Sequence, residues 1–218
     1  MILYGSSLSP YVRKVLAFAG EKGIELELKP MGSGPGQYSD EFLEASPLKK
    51  MPALRDGDFT LADSSAIVHY LEAKFSDPPL IPGDPRMLGR TIWFEEFADT
   101  VLTSCGAKMF YNRVVIPRFY GGTGDEEAAA KAECEELPPL LDYLETEVPE
   151  PGEFLIGGRL TLADIAIASP FANFVQLECA RDHKRHGRVY AYVDSILSRA
   201  SFAPWLERDQ ALLAREAA

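Results

Sequence analysis

The sequence predicts two domains, an α/β domain followed by an all-helical one. Three observations carry this reading. Strand and helix signals alternate up to residue 76. The run Ser76-Asp77-Pro78-Pro79-Leu80-Ile81-Pro82-Gly83-Asp84-Pro85, with four prolines and a glycine, then cannot continue any helix. Beyond it, apolar residues recur at helical spacing almost to the end of the chain. The expected division is 1–76 for the α/β domain, 77–86 for the linker and 87–218 for the helical domain.

Met1 to Tyr4 reads as a short strand. A helix follows from Pro10 to about Lys22, with Val12, Val15, Leu16 and Ala19 at helical spacing and Gly23 available to end it in the left-handed conformation. Proline suits the first helical turn, where its missing N–H is not needed, so Ser9 is a natural N-cap. Glu25 to Lys29 alternates polar and apolar residues as a half-buried strand does. A short helix is expected around Glu41 to Ala45, and a hairpin from Ala53-Leu54-Arg55, Asp56-Gly57-Asp58 and Phe59-Thr60-Leu61. Ser65 to Phe75 completes the domain as a helix. The intervening Gly32, Gly34 and Gly36 match no nucleotide-binding glycine motif and are expected to form a surface loop.

In the second domain a long helix is expected from Met87 to about Val115, stopping before Pro117, and a second from Asp125 to Val148, kinked or split at Pro138-Pro139. Thr161-Leu162-Ala163-Asp164 opens a helix running to about Cys179. Asp164 stands where the acid of a capping box returns a bond to the cap, a structural role. Helices over Val189–Arg199 and Pro204–Leu213 close the set.

The composition, 46% hydrophobic and 25% charged, is that of a globular protein. A formal net charge of −11 argues against nucleic acid and against anionic membrane surfaces as partners. No segment approaches the ~20 apolar residues of a membrane span, and the first residues carry no secretory-signal pattern. Cys105, Cys134 and Cys179 are odd in number and widely spaced, which fits reduced thiols and a cytoplasmic location. No metal-ligand spacing is present. His183 and His186, in Arg181-Asp182-His183-Lys184-Arg185-His186, are expected in a solvated connection.

Three segments carry chemistry. In Ser9-Pro10-Tyr11-Val12 a hydroxyl stands at the positive end of a helix, where it can either cap or donate to an anion. In Ser46-Pro47-Leu48-Lys49-Lys50-Met51-Pro52 a proline enters a strand, at an edge or at the strand's first position, beside two lysines able to meet a carboxylate. In Asp63-Ser64-Ser65 a helix start can bind a carboxylate while Asp63 accepts from an ammonium. An anion site beside an ammonium acceptor matches an α-amino acid head group.

The element order, with Ser-Pro-Tyr-Val at the first helix start, resembles the thioredoxin-like fold, whose equivalent motif is Cys-Pro-Tyr-Cys. Serine at Ser9 and valine at Val12 exclude dithiol redox chemistry there. In that fold the matching proline is cis, and the residue before it, here Met51, offers its backbone to an extended ligand. With the linker, Gly157 to Asp164 and the stretch from Tyr192-Val193-Asp194 to Ser201-Phe202, the whole chain resembles the soluble bacterial glutathione transferases. That resemblance implies a thioredoxin-like domain that binds glutathione as co-substrate, an all-helical second domain and an acceptor pocket between them. It implies a homodimer and a role in detoxification. Ser9 matches the thiolate-stabilising serine of some classes; Ser6 and Tyr4 are alternatives. Lys49, Lys50, Met51, Pro52, Asp63 and Ser64 would bind glutathione, and Tyr11, Phe110, Tyr111 and Arg113 would line the acceptor pocket. The implied activity is conjugation of the glutathione thiolate to an electrophilic, largely apolar molecule; the alternative is a glutathione-binding regulator or carrier with little catalysis. Asp63 departs from the family's usual glutamate.

Overall fold

Leu3, Leu54 and Leu61 stand abreast on neighbouring strands, and Tyr4, Ala53 and Ala62 form the next row. Successive side chains of a strand point to opposite faces, so these rows define the two sides of one sheet. The computed structural model describes residues 1–34, 36–150 and 152–215; the last three residues of the expected helical domain lie outside that range. The sheet has the order β2-β1-β3-β4, with β1 Ile2–Tyr4, β2 Glu27–Lys29, β3 Ala53–Asp56 and β4 Phe59–Ala62. β1 and β2 are parallel, and β3 is antiparallel to both β1 and β4. The crossover between β1 and β2 is α1 (Pro10–Glu21), which packs against α3 (Ser64–Lys74). The short α2 (Asp40–Ala45) closes the other face, where Phe42 and Ala45 pack on Tyr4 and Ala53.

The chain divides into two compact units. One comprises Met1–Leu80 together with Ala200–Asp209; the other comprises Ile81–Arg199 and the chain from Gln210 onward. This differs from assigning 87–218 wholly to the helical domain. The reason lies in burial: Phe202 and Asp209 are removed from solvent, and Asp209 pairs with Arg13 of α1. The linker's first half is tied to the same unit. Lys22 Nζ donates to the carbonyl of Pro78 at 2.6 Å, and Glu72 accepts from the N–H of Leu80.

The helical unit begins at α4 (Pro85–Glu96), capped by Asp84, which accepts from the N–H groups of Arg86 and Met87. The expected stop before Pro117 is not what the chain does. After α4 it winds through a π-helical stretch (Phe97–Leu102), α5 (Thr103–Phe110) and a second π-helical stretch reaching Tyr120, with Pro117 inside it. A wider turn relieves the clash between a proline ring and the carbonyl four residues back. The next segment splits as expected: α6 (Glu126–Lys131) and a π-helical turn (Ala132–Glu136) precede α7 (Leu137–Glu147), which takes Pro138 in its first turn.

α8 (Leu162–Gln176) is buried from Leu162 to Phe174, including Pro170, as befits a helix that is apolar all round. It packs on α4, α5 and α9 (Gly187–Leu197). A Cβ on Gly106 would lie 2.8 Å from the Phe174 ring, so glycine allows this approach of α5 to α8. α10 (Ala203–Arg215) ends the described chain. The histidine connection is not wholly solvated. His186 is buried, and its Nε2 lies 2.9 Å from Asp142 Oδ1, because Asp142 also holds Arg185 and draws the turn onto α7.

Candidate active site

The site grows from the end of β1. Gly5, at φ 153°, lies so close to its neighbours that a Cβ there would sit 2.6 Å from Val12 Cγ2 and 3.3 Å from Met51 Cβ. Only glycine fits this spot, and its absence of a side chain lets the strand end, the first turn of α1 and the Met51-Pro52 segment converge.

Ser9 takes the N-cap position with extended backbone, and Pro10 opens the helix. Its N–H donates to the Ser6 carbonyl at 3.0 Å, and its carbonyl accepts from the Arg13 N–H at 2.9 Å. The hydroxyl, however, makes no capping hydrogen bond. The other two hydroxyls considered differ from it and from each other. Ser6 Oγ accepts from the Leu8 N–H at 3.4 Å, a bond that does not use its own O–H. Tyr4 is buried among Phe42, Ala45 and Ala53, and its OH donates to Glu41 at 3.2 Å. Tyr4 therefore belongs to the core rather than to an exposed site.

The Met51-Pro52 peptide is cis. β3 is an interior strand, so of the two positions considered for Pro52 the strand start is the one found: Pro52 directly precedes Ala53, where its missing N–H breaks no ladder bond. The loop before it is closed by Ser46, whose Oγ donates to the Lys50 carbonyl at 2.7 Å and accepts from the Lys50 N–H at 3.1 Å. Lys49, at φ 58°, and Lys50 both present exposed ammonium-bearing chains, with Lys49 Nζ 5.9 Å from the centre of the Tyr38 ring.

Asp63 is itself the N-cap of α3. Its Oδ1 accepts from the N–H groups of both Ser65 and Ala66 at 3.0 Å. One carboxylate oxygen of Asp63 is therefore used as a cap, and the helix starts at Ser64, one residue earlier than expected. The carboxylate is exposed, and its second oxygen remains available to an ammonium. Ser64 is buried, and Ser65 Oγ accepts from Lys14 Nζ at 3.2 Å.

Lys14, Arg13 and Asp209 escape a reading of the sequence by motif. A faint signal existed: Arg13-Lys14 interrupts the apolar run of α1, and both side chains are fully buried. Of the expected acceptor residues, Tyr11 lies half-buried in the first turn of α1 and Tyr111 is exposed, its ring 6.5 Å from Tyr120. Phe110 is buried in the helical unit. Arg113 is held by Glu126 and Glu133 at 2.6 Å each, which pushes its already high pKa up further and commits its charge within that unit. Among the described residues no group of three His, Cys, Asp or Glu side chains is placed to hold a metal ion. Burial pushes the Cys105 thiol up to about 11 and the Cys179 thiol up to about 12, so neither is a ready nucleophile.

The arrangement offers a hydroxyl donor at a helix start, two cations beside a cis-proline segment and a carboxylate at a second helix start. Such a set suits an extended, zwitterionic ligand carrying an anionic centre near Ser9. Comparison with known proteins gives the same direction. Residues 3–79 match the glutathione S-transferase N-terminal domain family, and residues 112–209 match the C-terminal domain family. The chain is 30% identical to glutathione S-transferase theta-3 of Mus musculus, over 96% of this chain and 81% of that protein. It is likewise 30% identical to a glutathione S-transferase of Hyoscyamus muticus, covering 96% of this chain and 99% of the other. Human glutathione transferase theta-2, crystallised in complex with glutathione and an unknown ligand, superposes with a TM-score of 0.82 at 28% identity, covering 99% of this chain and 90% of that one. With both halves matched in order and the similarity spanning nearly the whole sequence, the chain belongs to the glutathione S-transferase family.

Proposed function

We propose that the protein is a glutathione transferase in which the Ser9 hydroxyl steadies the glutathione thiolate for attack on an electrophilic, largely apolar small molecule. The observation that carries this reading is the Ser9 hydroxyl, which makes no capping bond at the start of α1, the helix whose first turn Gly5 lets converge with the cis Met51-Pro52 segment. Residues 1–76 then form the glutathione-binding domain. Met51 offers its backbone to the cysteinyl residue, Lys49 and Lys50 meet carboxylate, and Asp63 with the Ser64 turn takes the α-amino acid head group. Tyr11, on the helix that carries Ser9, is the aromatic side chain nearest in sequence to the sulfur position and would contact the acceptor.

The energetics suffice. A free thiol of pKa ~8.5 is only a few per cent thiolate at neutral pH. Lowering it to about 7 needs about 2 kcal/mol of preference for the anion. A charge-assisted hydrogen bond contributes ~1.5–3 kcal/mol, and a helix terminus adds ~0.3–1 kcal/mol. One hydroxyl and one helix end therefore supply the whole shift. The sulfur forms its bond to the electrophilic carbon as the leaving group departs with its electron pair, and proximity supplies the remainder of the rate.

The test is a pH–rate profile of conjugation in wild type and Ser9→Ala across a panel of electrophiles. The proposal expects the kinetic pKa to rise in the variant. An unaltered profile would transfer the role to Ser6, and glutathione binding without turnover on any electrophile would make the protein a carrier. A homodimer, a cytoplasmic location and a part in detoxification belong to the same proposal; sedimentation of the purified protein tests the first.

A further inference from the structure

Asp209 lies on α10, about two hundred residues from Ser9 in the chain, yet it belongs to the same compact unit. Its side chain and that of Arg13 are both fully removed from solvent. Oδ1 accepts from the Ser7 hydroxyl, and Oδ2 accepts from the Arg13 guanidinium at 2.9 Å. These two donors bracket Ser9. Ser7 precedes it by two residues. Arg13 follows one turn later and donates its N–H to the Ser9 carbonyl at 2.9 Å, while the Ser9 N–H is held by Ser6 at 3.0 Å. One carboxylate therefore fastens both flanks of the segment that carries the hydroxyl.

A stabilising role explains this poorly. Taking both charges out of water is costly, and apolar residues of similar volume often serve stability equally well or better. Burial pushes the Arg13 pKa down, against the raising effect of Asp209. What an ionised carboxylate adds over an apolar contact is direction, because each oxygen fixes a donor by distance and angle. Hydrogen bonds that act on developing or bound charge depend on such fixing.

We propose that Asp209 is a positioning residue that, through Ser7 and Arg13, keeps the Ser9 hydroxyl aimed at the substrate sulfur. This rests on the reading of Ser9 given above.

The experiment uses the full chain, with Asp209→Asn beside Ser9→Ala and the double variant. Two quantities are read: the pKa of the bound glutathione thiol, from the ultraviolet absorbance of its thiolate, and kcat against KM for glutathione. In Asp209→Asn the thiol pKa is expected to rise by about one, equivalent to about fivefold less thiolate at neutral pH, with kcat lowered about fivefold and KM changed by less than about twofold. Adding Asp209→Asn to Ser9→Ala should shift the thiol pKa no further. Loss of folded protein alone would lower the amount of active enzyme without moving that pKa. Should Asp209→Asn not fold, Ser7→Ala decides. It leaves the Arg13–Asp209 pair intact, with an expected loss of about threefold in thiolate, and Ser7→Thr restores it by returning the hydroxyl. A thiol pKa unchanged in folded Asp209→Asn, or in Ser7→Ala, overturns the positioning role while leaving Ser9 in place. A thiol pKa unchanged in Ser9→Ala overturns the Ser9 reading and this proposal with it.

Discussion

Two helix starts in this protein use the same kind of residue for opposite ends. At α8, Asp164 accepts from the Thr161 N–H at 2.8 Å, the Thr161 hydroxyl at 3.1 Å, the Leu155 N–H at 2.8 Å and the Tyr192 hydroxyl at 2.6 Å. Thr161, Asp164 and Tyr192 are all fully buried there. At α1, Ser9 holds the corresponding cap position, but its hydroxyl bonds to nothing that the helix offers. A Ser or Thr before a helix therefore does not by itself announce chemistry. The commitment of its hydroxyl separates a structural cap from a reactive one, because a donor already satisfied in the fold has little to give a ligand.

The sharpest way to break this contrast is at the closed start. Asp164→Ala leaves four donors facing a buried gap, so unfolding free energy by denaturant titration is expected to fall by about 3 kcal/mol or more. The thiol pKa of bound glutathione in the folded fraction should stay where it is. A stable variant with altered thiol chemistry would erase the division between the two starts. Next is the open start. Ser9→Ala should cut conjugation at neutral pH at least about tenfold, while stability changes by less than about 0.5 kcal/mol. A stability loss near the ~1 kcal/mol typical of a bonded cap would show that the hydroxyl is a structural one after all.

The third helix start, α3, lies between these cases, since Asp63 both caps and stays exposed. Asp63→Asn keeps the cap, Asn and Asp being equivalent there, but loses the charge that meets an ammonium. The expected result is a rise of about fivefold in KM for glutathione with kcat unaltered. The smallest effect concerns pH. Arg185, then His186, hold the Asp142 carboxyl below the usual carboxylate range. A depressed folded pKa means the unfolded chain binds the proton more readily, so the contribution is present above the ordinary carboxylate range and lost as pH falls through the folded value. Asp142→Asn should flatten the acid limb of the melting temperature against pH slightly, and added salt should weaken the effect further.

Much of the site is legible because its signals are local. Ser9-Pro10 reads as a helix start because proline fits only the first turn. Met51-Pro52 reads as a strand entry because proline cannot donate to a ladder. Ala53 to Leu61 reads as a hairpin around Asp56-Gly57-Asp58. The misses are of another kind. Pro117 was expected to end a helix, and a wider winding carries the chain past it. Arg113 looked available to a ligand until Glu126 and Glu133 were brought to it. His186 looked solvated until α7 delivered Asp142.

The sequence by itself determined most of the strand and helix segments, the break at the proline-rich linker, and the residues that open α1 and α8. These follow from backbone sterics and from hydrogen bonds spanning a few residues. Only the tertiary structure decided which hydroxyls are consumed and which are left over. Tyr4 gives its OH to Glu41 and Ser7 gives its hydroxyl to Asp209, whereas Ser9 keeps its own. A side chain's partners are set by what packing brings near it in space, and residues hundreds of positions apart leave no local pattern to be read.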